Sequence, residues 1–370
     1  MSKLCLIFNF APHYRRSIYQ LIDQTWDCDW YFGSNRSDIK TLDLSVLRRA
    51  ITVPRKAFMR EPFYRLKGVS ALAGDRTYDR YLVIGEPYCM SAWGVMLRLR
   101  LFHPKKRVYL WSHGYYGRES FVKRVLKRLF FKLAHTVFLY GDYARDLMIQ
   151  AGFKAEKLVV VHNSLQYDQQ LQFRNELDNR HSSDLEFGER GHNLIFIGRL
   201  TRSKRLDLLL EAMSQLQKQG VRTYLTVVGD GEDRIHLEML VSEMGLAEYV
   251  RFWGACYDEA ENARLLYDAD LCVSPGNVGL TAIHSMMFGT PVLTHNDFRY
   301  QGPEFEAIRS GKTGDFFICN RVDDLSAKIR VWLEQHQVDR DAIRRLCYQE
   351  IDERWTPLYQ LAQFKNGIHK

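Results

Sequence analysis

The stretch CVSPGNVGLTAIHSMMFGTPVL, residues 272–293, predicts a turn from a strand into a helix that organises the second half of the chain. It starts as the end of an apolar run, passes through a loop at residues 275–279, and continues as a helical segment. Gly276 and Gly279 would let the backbone approach a ligand closely, because glycine carries no Cβ atom. The first N–H groups of a helix near Leu280 would then point at an anion, usually a phosphate. An ordinary strand–turn–helix corner of an α/β sheet explains the same stretch.

Length and composition favour a soluble protein of two domains. The chain has 370 residues, more than one hydrophobic core usually serves. Its seven cysteines form no C-x-x-C pair, which argues against a disulfide framework or a zinc module and favours a reducing, cytoplasmic setting. The apolar run at residues 4–11 is followed at once by Pro-His-Tyr-Arg-Arg, which indicates a first strand rather than a signal peptide. No run has the length of a transmembrane helix.

Charge is distributed unevenly along the chain. Residues 1–180 contain 30 Lys and Arg against 16 Asp and Glu, whereas residues 181–370 contain 22 against 28. This asymmetry indicates that the first half faces something anionic, and nucleic acid and an anionic membrane surface are both candidates at this point.

Short apolar runs alternate with helical patterns in both halves, which predicts strands of parallel sheets covered on both faces. The predicted strands of the first half are residues 4–10, 28–33, 81–85, 107–111, 136–140 and 158–162. Those of the second half are residues 194–198, 224–229, 250–254, 271–275, 291–295 and 315–319. The sequence therefore predicts two Rossmann-like, doubly wound α/β domains that face each other across a cleft.

A polar segment separates the two halves and includes a predicted short helix at residues 169–177. A helical tail follows the second half and should kink or restart at Pro357. The predicted divisions are a first Rossmann-like domain at 1–165, an interdomain segment at 166–192, a second Rossmann-like domain at 193–338, and the tail at 339–370.

Four motifs of the second half follow one another in a specific order. They are Gly198-Arg199-Leu200 with Lys204 five residues after the arginine, Val227-Val228-Gly229-Asp230-Gly231, Leu266-Tyr267-Asp268-Ala269-Asp270, and the opening stretch. In this combination the region from Ile195 to Gly314 resembles the nucleotide-binding domain of family-4-like retaining glycosyltransferases (glycosyl transferases group 1), which have the two-domain GT-B fold.

The resemblance implies a site for the diphosphate of a nucleotide-sugar. It assigns that role to Arg199 and Lys204, together with the backbone N–H groups of Gly279, Leu280 and Thr281. Fixed cations and helix N–H groups would stabilise the charge that develops on a nucleoside diphosphate as it leaves. Ion pairs of a solvated loop are the alternative, and Arg202 and Arg205 beside Lys204 leave open which cation contacts phosphate.

One departure from the family concerns its two glutamates, which stand eight positions apart around the glycine loop. Alignment on Gly279 places Gly276 and His284 at those positions. The first glutamate normally contacts the donor sugar and the second holds the ribose. His284 can still bond a ribose hydroxyl, and Asn277 is a candidate to compensate for Gly276.

The first half resembles the family more loosely. His113 stands at a strand end where these enzymes carry a histidine near the donor sugar, and it is the predicted catalytic residue, with a structural histidine as the alternative. Seven further residues are predicted on the acceptor side: Asn9, His13, Arg15, Tyr115, Tyr116, Arg118 and Glu119. Glu304 resembles the acidic residue of a later loop, and a surface carboxylate explains it equally well.

Two other motifs have competing explanations. Asp268 and Asp270 could suggest magnesium, but their position before an apolar strand favours a structural role, so no metal and no cofactor beyond the nucleotide-sugar is expected. In residues 229–234, Arg234 occupies the third glycine position of a dinucleotide fingerprint, which disfavours an oxidoreductase.

The helical pattern at residues 121–133 combines an apolar stripe with basic side chains at Lys123, Arg124, Lys127, Arg128 and Lys132. Such a helix can lie on an anionic membrane, and a solvated helix whose apolar side packs in the core is the alternative. No nucleic-acid-binding module is recognisable, so that partner is set aside.

These observations predict a cytoplasmic enzyme, and the basic helix at residues 121–133 would allow it to bind as a peripheral protein to the inner face of a membrane. It would move a sugar from a nucleotide-sugar to a glycan or lipid-linked glycan with retention of configuration and without a metal, in cell-surface polysaccharide synthesis. The alternative is a catalytically inactive two-domain protein that binds glycan or nucleotide.

Overall fold

The chain forms two compact units. The first contains Met1–Gln166 together with Thr356–Lys370, and the second contains Tyr167–Trp355. The residues predicted as one tail, 339–370, are thus divided between the units. The computed structural model describes most of the chain, namely residues 3–34, 39–59, 61–179, 191–336 and 339–368.

The described residues contain twelve α-helices and fifteen strands. The helices are α1 (Arg16–Thr25), α2 (Met90–Phe102), α3 (Phe121–Lys132), α4 (Asp142–Gln150), α5 (Tyr167–Asp178), α6 (Leu206–Lys218), α7 (Arg234–Glu243), α8 (Glu259–Asp268), α9 (Thr281–Met287), α10 (Val322–His336), α11 (Arg340–Arg354) and α12 (Pro357–Ile368). The strands are β1 (Lys3–Phe8), β2 (Cys28–Gly33), β3 (Ala50–Val53), β4 (Arg55–Ala57), β5 (Tyr64–Leu66), β6 (Tyr78–Ile84), β7 (Arg107–Ser112), β8 (Thr136–Leu139), β9 (Leu158–Val160), β10 (His192–Ile197), β11 (Thr223–Val228), β12 (Val250–Gly254), β13 (Leu271–Ser274), β14 (Val292–His295) and β15 (Gly314–Phe317).

The first unit contains a parallel seven-stranded sheet in the order β3-β2-β1-β6-β7-β8-β9. Strands β4 and β5 form a separate antiparallel hairpin. The order reverses between β1 and β6, so the loops that follow these two strands flank the switch point of this sheet.

Apolar packing on both faces explains why the central strands are continuous hydrophobic runs. On one face Phe8 packs against Trp30 at 6.1 Å and Trp111 at 5.7 Å between ring centroids. Helix α12 covers the same core, because Phe364 packs edge-on against Trp111 at 4.9 Å and Phe138 at 4.7 Å. The last helix of the chain therefore belongs to the first unit, and it begins at Pro357, where the sequence predicts a restart.

The second unit contains a parallel six-stranded sheet in the order β12-β11-β10-β13-β14-β15. The order of the strands reverses between β10 and β13. These two strands pair in parallel, Leu194 with Leu271 and Ile195 with Cys272. Helix α10 packs on α6, and α11 packs on α9. Both units are therefore doubly wound Rossmann-like domains, which confirms the predicted class of fold.

All twelve predicted strands are present, with ends that differ by three residues or fewer. The helix predicted at 169–177 is α5, while residues 180–190 of the predicted interdomain segment lie outside the described residues. Strand β3 and the β4–β5 hairpin escaped prediction, because β3 is half exposed at a sheet edge and the hairpin strands are three residues long.

Candidate functional site

The carboxyl ends of β10 and β13 meet at the switch point of the second sheet. In open α/β sheets, ligands bind in the crevice at such a point. Arg199 follows β10 by two residues and is exposed, and the glycine loop at residues 275–280 follows β13. The fold thus brings together the predicted arginine and the predicted glycine loop.

Lys204 is tied to the glycine loop. It ends a short 3-10 helix, and its ammonium group donates a hydrogen bond to the backbone carbonyl of Asn277. Desolvation lowers the pKa of Lys204, the negative charge of Glu304 counteracts this shift, and the positive charge of Arg199 adds to it. These three charged groups therefore lie close together.

The neighbouring Arg205 is committed to other partners. Its guanidinium bonds the carboxylate of Asp207 at 3.0–3.1 Å and also donates to the side chain of Asn320. Of these two cations, Lys204 is therefore the better placed beside the loop, and Arg202 stays an open alternative.

Gly276 has a different role from the one predicted. A Cβ atom at this position would lie 2.2 Å from the carbonyl oxygen of Ser203 and 2.7 Å from the Cα atom of Lys204. The missing side chain thus makes room for the protein's own backbone, and the N–H of Gly276 donates to the carbonyl of Lys204 at 2.9 Å. Gly279 has φ +52°, a left-handed conformation that glycine adopts without strain, and it turns the chain toward α9.

The glycine loop is held by a glutamine that sequence reasoning missed. Buried Gln301 accepts from the N–H of Val278 at 2.9 Å and donates to Thr294 at 2.8 Å and to the carbonyl of His295 at 3.1 Å. The side-chain amide of Asn277 donates to the carbonyl of Tyr300 at 2.9 Å. This bond fixes the orientation of the side chain and uses one of its two N–H donors, and the predicted compensation of Asn277 for Gly276 stays a prediction.

Glu304 is buried rather than a surface carboxylate, with 3% of its area exposed. It lies in a short 3-10 helix after β14. A Cβ atom on Gly302 would meet a carboxylate oxygen of Glu304 at 2.8 Å and the Cα atom of Gly279 at 3.1 Å. The carboxylate is therefore packed beside the glycine loop, near Lys204.

Helix α9 begins at Thr281, so the backbone N–H groups of its first turn have no intrahelical acceptor. The hydroxyl of Thr281 donates to the carbonyl of Ile197 at 3.0 Å and ties the helix start to the end of β10. The N–H groups of Gly279, Leu280 and Thr281 stay predicted phosphate ligands.

His284 has a carboxylate partner that the sequence did not suggest. Its Nε2 atom lies 2.9 Å from Glu259 at the start of α8, and the amide of Gln170 donates to the same carboxylate oxygen at 2.6 Å. The contact occupies one ring nitrogen, so a ribose hydroxyl would have to use the other. His284 stays a predicted ribose ligand on that condition.

His113 lies directly after β7 in the first unit, between two aromatic rings. Its ring centroid is 4.5 Å from that of Tyr140 and 6.0 Å from that of Tyr116. The residue is exposed on its open side, yet desolvation on its packed side, with the positive charges of Arg15 and Lys127, lowers the pKa of the ring to about 4. The imidazole is therefore neutral at pH 7.

The loop after His113 is fixed by a buried ion pair. Lys127 on α3 donates to the carbonyl of Gly114 at 2.9 Å and to Glu119 at 2.7 Å. Glu119 also accepts from the N–H groups of Tyr116 at 2.8 Å and Gly117 at 3.0 Å. These bonds give Glu119 a role in fixing the loop, and its acceptor-side role stays a prediction.

The other residues predicted on the acceptor side have different environments. Tyr115 is buried against Phe131 and Phe153, and Arg15 is buried over Trp111 with a hydrogen bond to the hydroxyl of Tyr140, so both support the site from within. Four remain at the surface or half-buried and keep the predicted role: Asn9, His13, Tyr116 and Arg118.

The acidic pair before β13 has structural partners, as predicted. Asp270 accepts from the N–H of Asn193 at 2.7 Å and pairs with Arg340 at 3.2 Å. Asp268 lies 3.6 Å from Arg264.

Two such doubly wound sheets give the chain the GT-B class of fold, and solved structures agree. The Anabaena protein Alr3699/HepE, solved in complex with UDP, has 16% identity and a TM-score of 0.73 over the full length of both chains. The apo form of the lipopolysaccharide outer core galactosyltransferase WaaB has 14% identity and a TM-score of 0.71 over 99% of both chains. At these identities the likeness concerns the fold.

The sequence family described as Glycosyl transferases group 1 matches residues 179–346, which confirms the resemblance for the second unit. An uncharacterized glycosyltransferase of Methanocaldococcus jannaschii is 28% identical over 145 residues, 37% of this chain and 36% of the relative. A glycogen synthase of Thermus thermophilus is 35% identical over 128 residues, 34% of this chain and 28% of the relative. The chain thus spans about a third of the length of the curated relatives it matches.

Proposed function

We propose that this protein is a retaining glycosyltransferase that moves a sugar, of the hexose type, from a nucleotide-sugar to a glycan or lipid-linked glycan. The observation that carries the proposal is the crevice between β10 and β13, where Arg199, Lys204 and the glycine loop converge. A parallel sheet places ligands at this point, and two cations beside a helix start suit a diphosphate.

In the proposed reaction, the second unit would have to stabilise the leaving group. As the bond to the sugar breaks, negative charge collects on the nucleoside diphosphate, and Arg199 and Lys204 would neutralise it without a metal ion. Alr3699/HepE was solved with UDP and with UDP-glucose, whereas a relative from Mycobacterium tuberculosis is named a GDP-mannose-dependent mannosyltransferase. A uridine nucleotide is the first donor to test, and a guanosine nucleotide is the second.

His113 would act on the donor sugar as a neutral hydrogen-bonding group. A ring with a pKa of about 4 stays uncharged at pH 7, so it can accept or donate a hydrogen bond without adding positive charge beside the reacting carbon. Retention and a role in cell-surface polysaccharide synthesis are part of the proposal, as is the absence of any cofactor beyond the nucleotide-sugar.

A catalytically inactive binding protein is the second candidate, and Gly276 is the observation that favours it. The close approach of Ser203 leaves no room at this position for the glutamate of the family. Such a protein would bind a nucleotide or a glycan but would not release a nucleotide from a nucleotide-sugar.

Two successive experiments test the proposal. Thermal unfolding with UDP-, GDP- and ADP-sugars identifies a donor, because a ligand that binds the native state raises its stability. Release of the nucleotide is then followed with and without lipid-linked and free glycan acceptors. Acceptor-dependent release supports transfer, whereas a stabilising nucleotide-sugar with no release under any of these conditions would identify the inactive protein.

We further propose that α3 contacts an anionic membrane surface. Its apolar residues divide into two sets: Phe130 and Phe131 are buried, whereas Phe121, Val122 and Leu129 are 80%, 75% and 56% exposed. The exposed set lies on the solvent side of the helix beside exposed basic residues, namely Lys123, Arg124, Arg128 and Lys132. Exposed apolar and basic residues on one helix are typical of binding at a membrane interface.

Lys127 does not belong to this basic surface, because it is buried in its pair with Glu119. The test therefore reverses Lys123 and Lys132 to Glu and measures sedimentation with anionic vesicles. Each basic residue near such a surface contributes about 1 kcal/mol, so binding should weaken by at least tenfold. Reversal of the exposed Lys218 and Arg222 in the second unit is the matched control. An equal loss of vesicle binding in the α3 variant and in the control variant would exclude α3 as the element that contacts the membrane. Absence of vesicle binding by the wild type at low salt would exclude it as well.

Among the described helices, none combines the length and the apolar character needed to cross a membrane.

A further inference from the structure

A second concave site lies in the first unit, beside the hairpin of β4 and β5. It is an open cavity of about 510 Å³ between this hairpin, the 3-10 helix at Val69–Gly74 and the start of α2. Cavities of several hundred Å³ with a few well-placed polar groups hold small ligands. None of the residues predicted from the sequence lines it.

The lining divides into cations and an apolar floor. Four basic side chains surround the cavity, namely Lys56, Arg65, Lys67 and Arg98, and its apolar residues include Phe58, Leu66 and Met90. No acidic side chain occurs among the lining residues within the described part of the chain. The cavity therefore combines concentrated positive charge with apolar surface.

The pairing of the two hairpin strands brings like charges together, and this repulsion destabilises the hairpin when no ligand is bound. Lys56 and Arg65 stand directly opposite each other in the antiparallel register. Like charges in directly opposed positions destabilise a pair of strands. An anion placed between the two side chains would convert this repulsion into attraction.

The cavity is also held in shape by hydrogen bonds of its own walls. The hydroxyl of Ser91 accepts from the N–H of Leu66 at 2.8 Å and donates to its carbonyl at 3.0 Å, which fixes β5 to α2. Arg98 donates to the carbonyl of Ser70 at 3.1 Å and fixes α2 to the 3-10 helix. A site with preformed walls loses less entropy when it binds a ligand.

We propose that this cavity binds the phosphate group of a lipid-linked acceptor. The four cations would hold the phosphate, and the apolar floor would accept the first carbons of the lipid. Apolar side chains continue beyond the cavity, because Met59 at the hairpin is 92% exposed and Leu101, one turn beyond Arg98 on α2, is 71% exposed. The inference rests on the proposed function, and it specifies that the acceptor of this enzyme carries phosphate and lipid.

The experiment compares two kinds of vesicle with the same surface charge, one with a polyprenyl phosphate and one with phosphatidylglycerol in phosphatidylcholine. The cavity variant is Arg65→Gln with Lys67→Gln, and the control with equal loss of charge is Lys123→Gln with Lys132→Gln on α3. Wild type should prefer the polyprenyl phosphate. The cavity variant should lose about tenfold or more in affinity for it, while the control loses affinity for both vesicles alike.

Retention of wild-type affinity and preference by the cavity variant would overturn the proposal. A further experiment adds inorganic pyrophosphate as a competitor of vesicle binding. Weak competition would support a phosphate carried by a lipid. Pyrophosphate that binds the cavity as tightly as the vesicles do would refute the proposal that the ligand is a lipid. The outcome is separable from catalysis. Polyprenyl phosphate binding without any nucleotide release would refute the proposed function alone, and nucleotide release with an unaffected cavity variant would refute this assignment alone.

Discussion

Breaking the pair of Lys127 and Glu119 should loosen the loop that carries His113. We expect Lys127→Met to lower both the thermal stability of the first unit and the turnover. The two side chains are 12% and 5% exposed, and their charged atoms lie 2.7 Å apart. Removal of one partner from a buried pair costs about 3–5 kcal/mol when the other charge is left without compensation.

The loss here should fall below that range, because Glu119 keeps two backbone N–H donors, from Tyr116 and Gly117. We expect about 2–3 kcal/mol, which corresponds to about 4–12 °C in Tm for a domain of this size. The exposed pair of Lys154 and Glu156, whose charged atoms lie 3.7 Å apart, is the matched control. Its disruption should change stability by less than about 1 kcal/mol.

The assay is a double-mutant cycle of Lys127→Met and Glu119→Gln, with calorimetric unfolding and nucleotide release as readouts. A coupling energy near zero would refute the reasoning, because independent side chains give additive effects. Unchanged turnover in a destabilised variant would separate the loop from catalysis.

The pH dependence of stability offers a second check of this pair. Burial raises the pKa of Glu119, but the hydrogen bonds from Lys127 and from the N–H of Tyr116 outweigh it, so the net pKa is lowered. The unfolded carboxyl, with a pKa of about 4.3, therefore takes up a proton first as the pH falls. The stabilisation is present above that value and is lost as the pH falls through the folded pKa, so Glu119→Gln should show a smaller loss of stability in acid.

Three further results are expected. His113→Ala should lower kcat much more than nucleotide affinity. The kcat of the wild type should show no titration of this ring between about pH 5 and 8, because its pKa is about 4. Full activity of the variant would remove His113 from the mechanism. Arg199→Ala and Lys204→Ala should each slow nucleotide release by about ten- to a hundredfold while EDTA leaves the wild type active; loss of activity in EDTA that magnesium restores would contradict the metal-free assignment. Gly276→Glu should lower Tm and nucleotide affinity, because its Cβ atom would lie 2.2 Å from the carbonyl of Ser203; a variant that gains activity would show that the loop can move to admit the glutamate.

The sheets were predictable because their information is local. A buried parallel strand is a short apolar run, and each of the twelve runs named from the sequence became a strand. The ends of these runs also gave the predicted positions of His113, Arg199 and the glycine loop, since a ligand site in such a sheet lies where strands end. Edge strands and hairpins have no such signature, which is why the hairpin of the basic cavity was missed.

The partners of the site residues were not predictable, because they come from distant parts of the chain. Lys127 reaches back to Gly114 from the next helix, and Gln301 holds Val278 from a loop 23 residues later. The return of α12 to the first unit likewise depends on Phe364 meeting Trp111 in three dimensions. Such contacts cannot be predicted from the spacing of residues or from composition.

The departures from the family pattern can be reconsidered with these partners in view. Gly276 and His284 stand where glutamates are expected, and the structure places two other carboxylates near these positions. Glu304 is buried beside Gly279, and Glu259 bonds His284. Glu304, which itself resembles an acidic residue of the family, thus leaves one carboxylate beside the glycine loop, and Glu259 places another beside His284.

The positive charges argue in the same direction. Arg199 lies close enough to Lys204 to lower its pKa, and Lys204 is partly removed from water, so both effects disfavour the charged ammonium. A perturbed cation at the switch point of a Rossmann-like sheet is the arrangement that an anionic ligand stabilises. Glu304 offsets part of this effect within the protein, and a bound diphosphate would offset more of it, whereas a neutral glycan would bring no such charge. The electrostatics of the crevice therefore favour an anionic ligand, and the diphosphate of the proposed nucleotide-sugar is such a ligand.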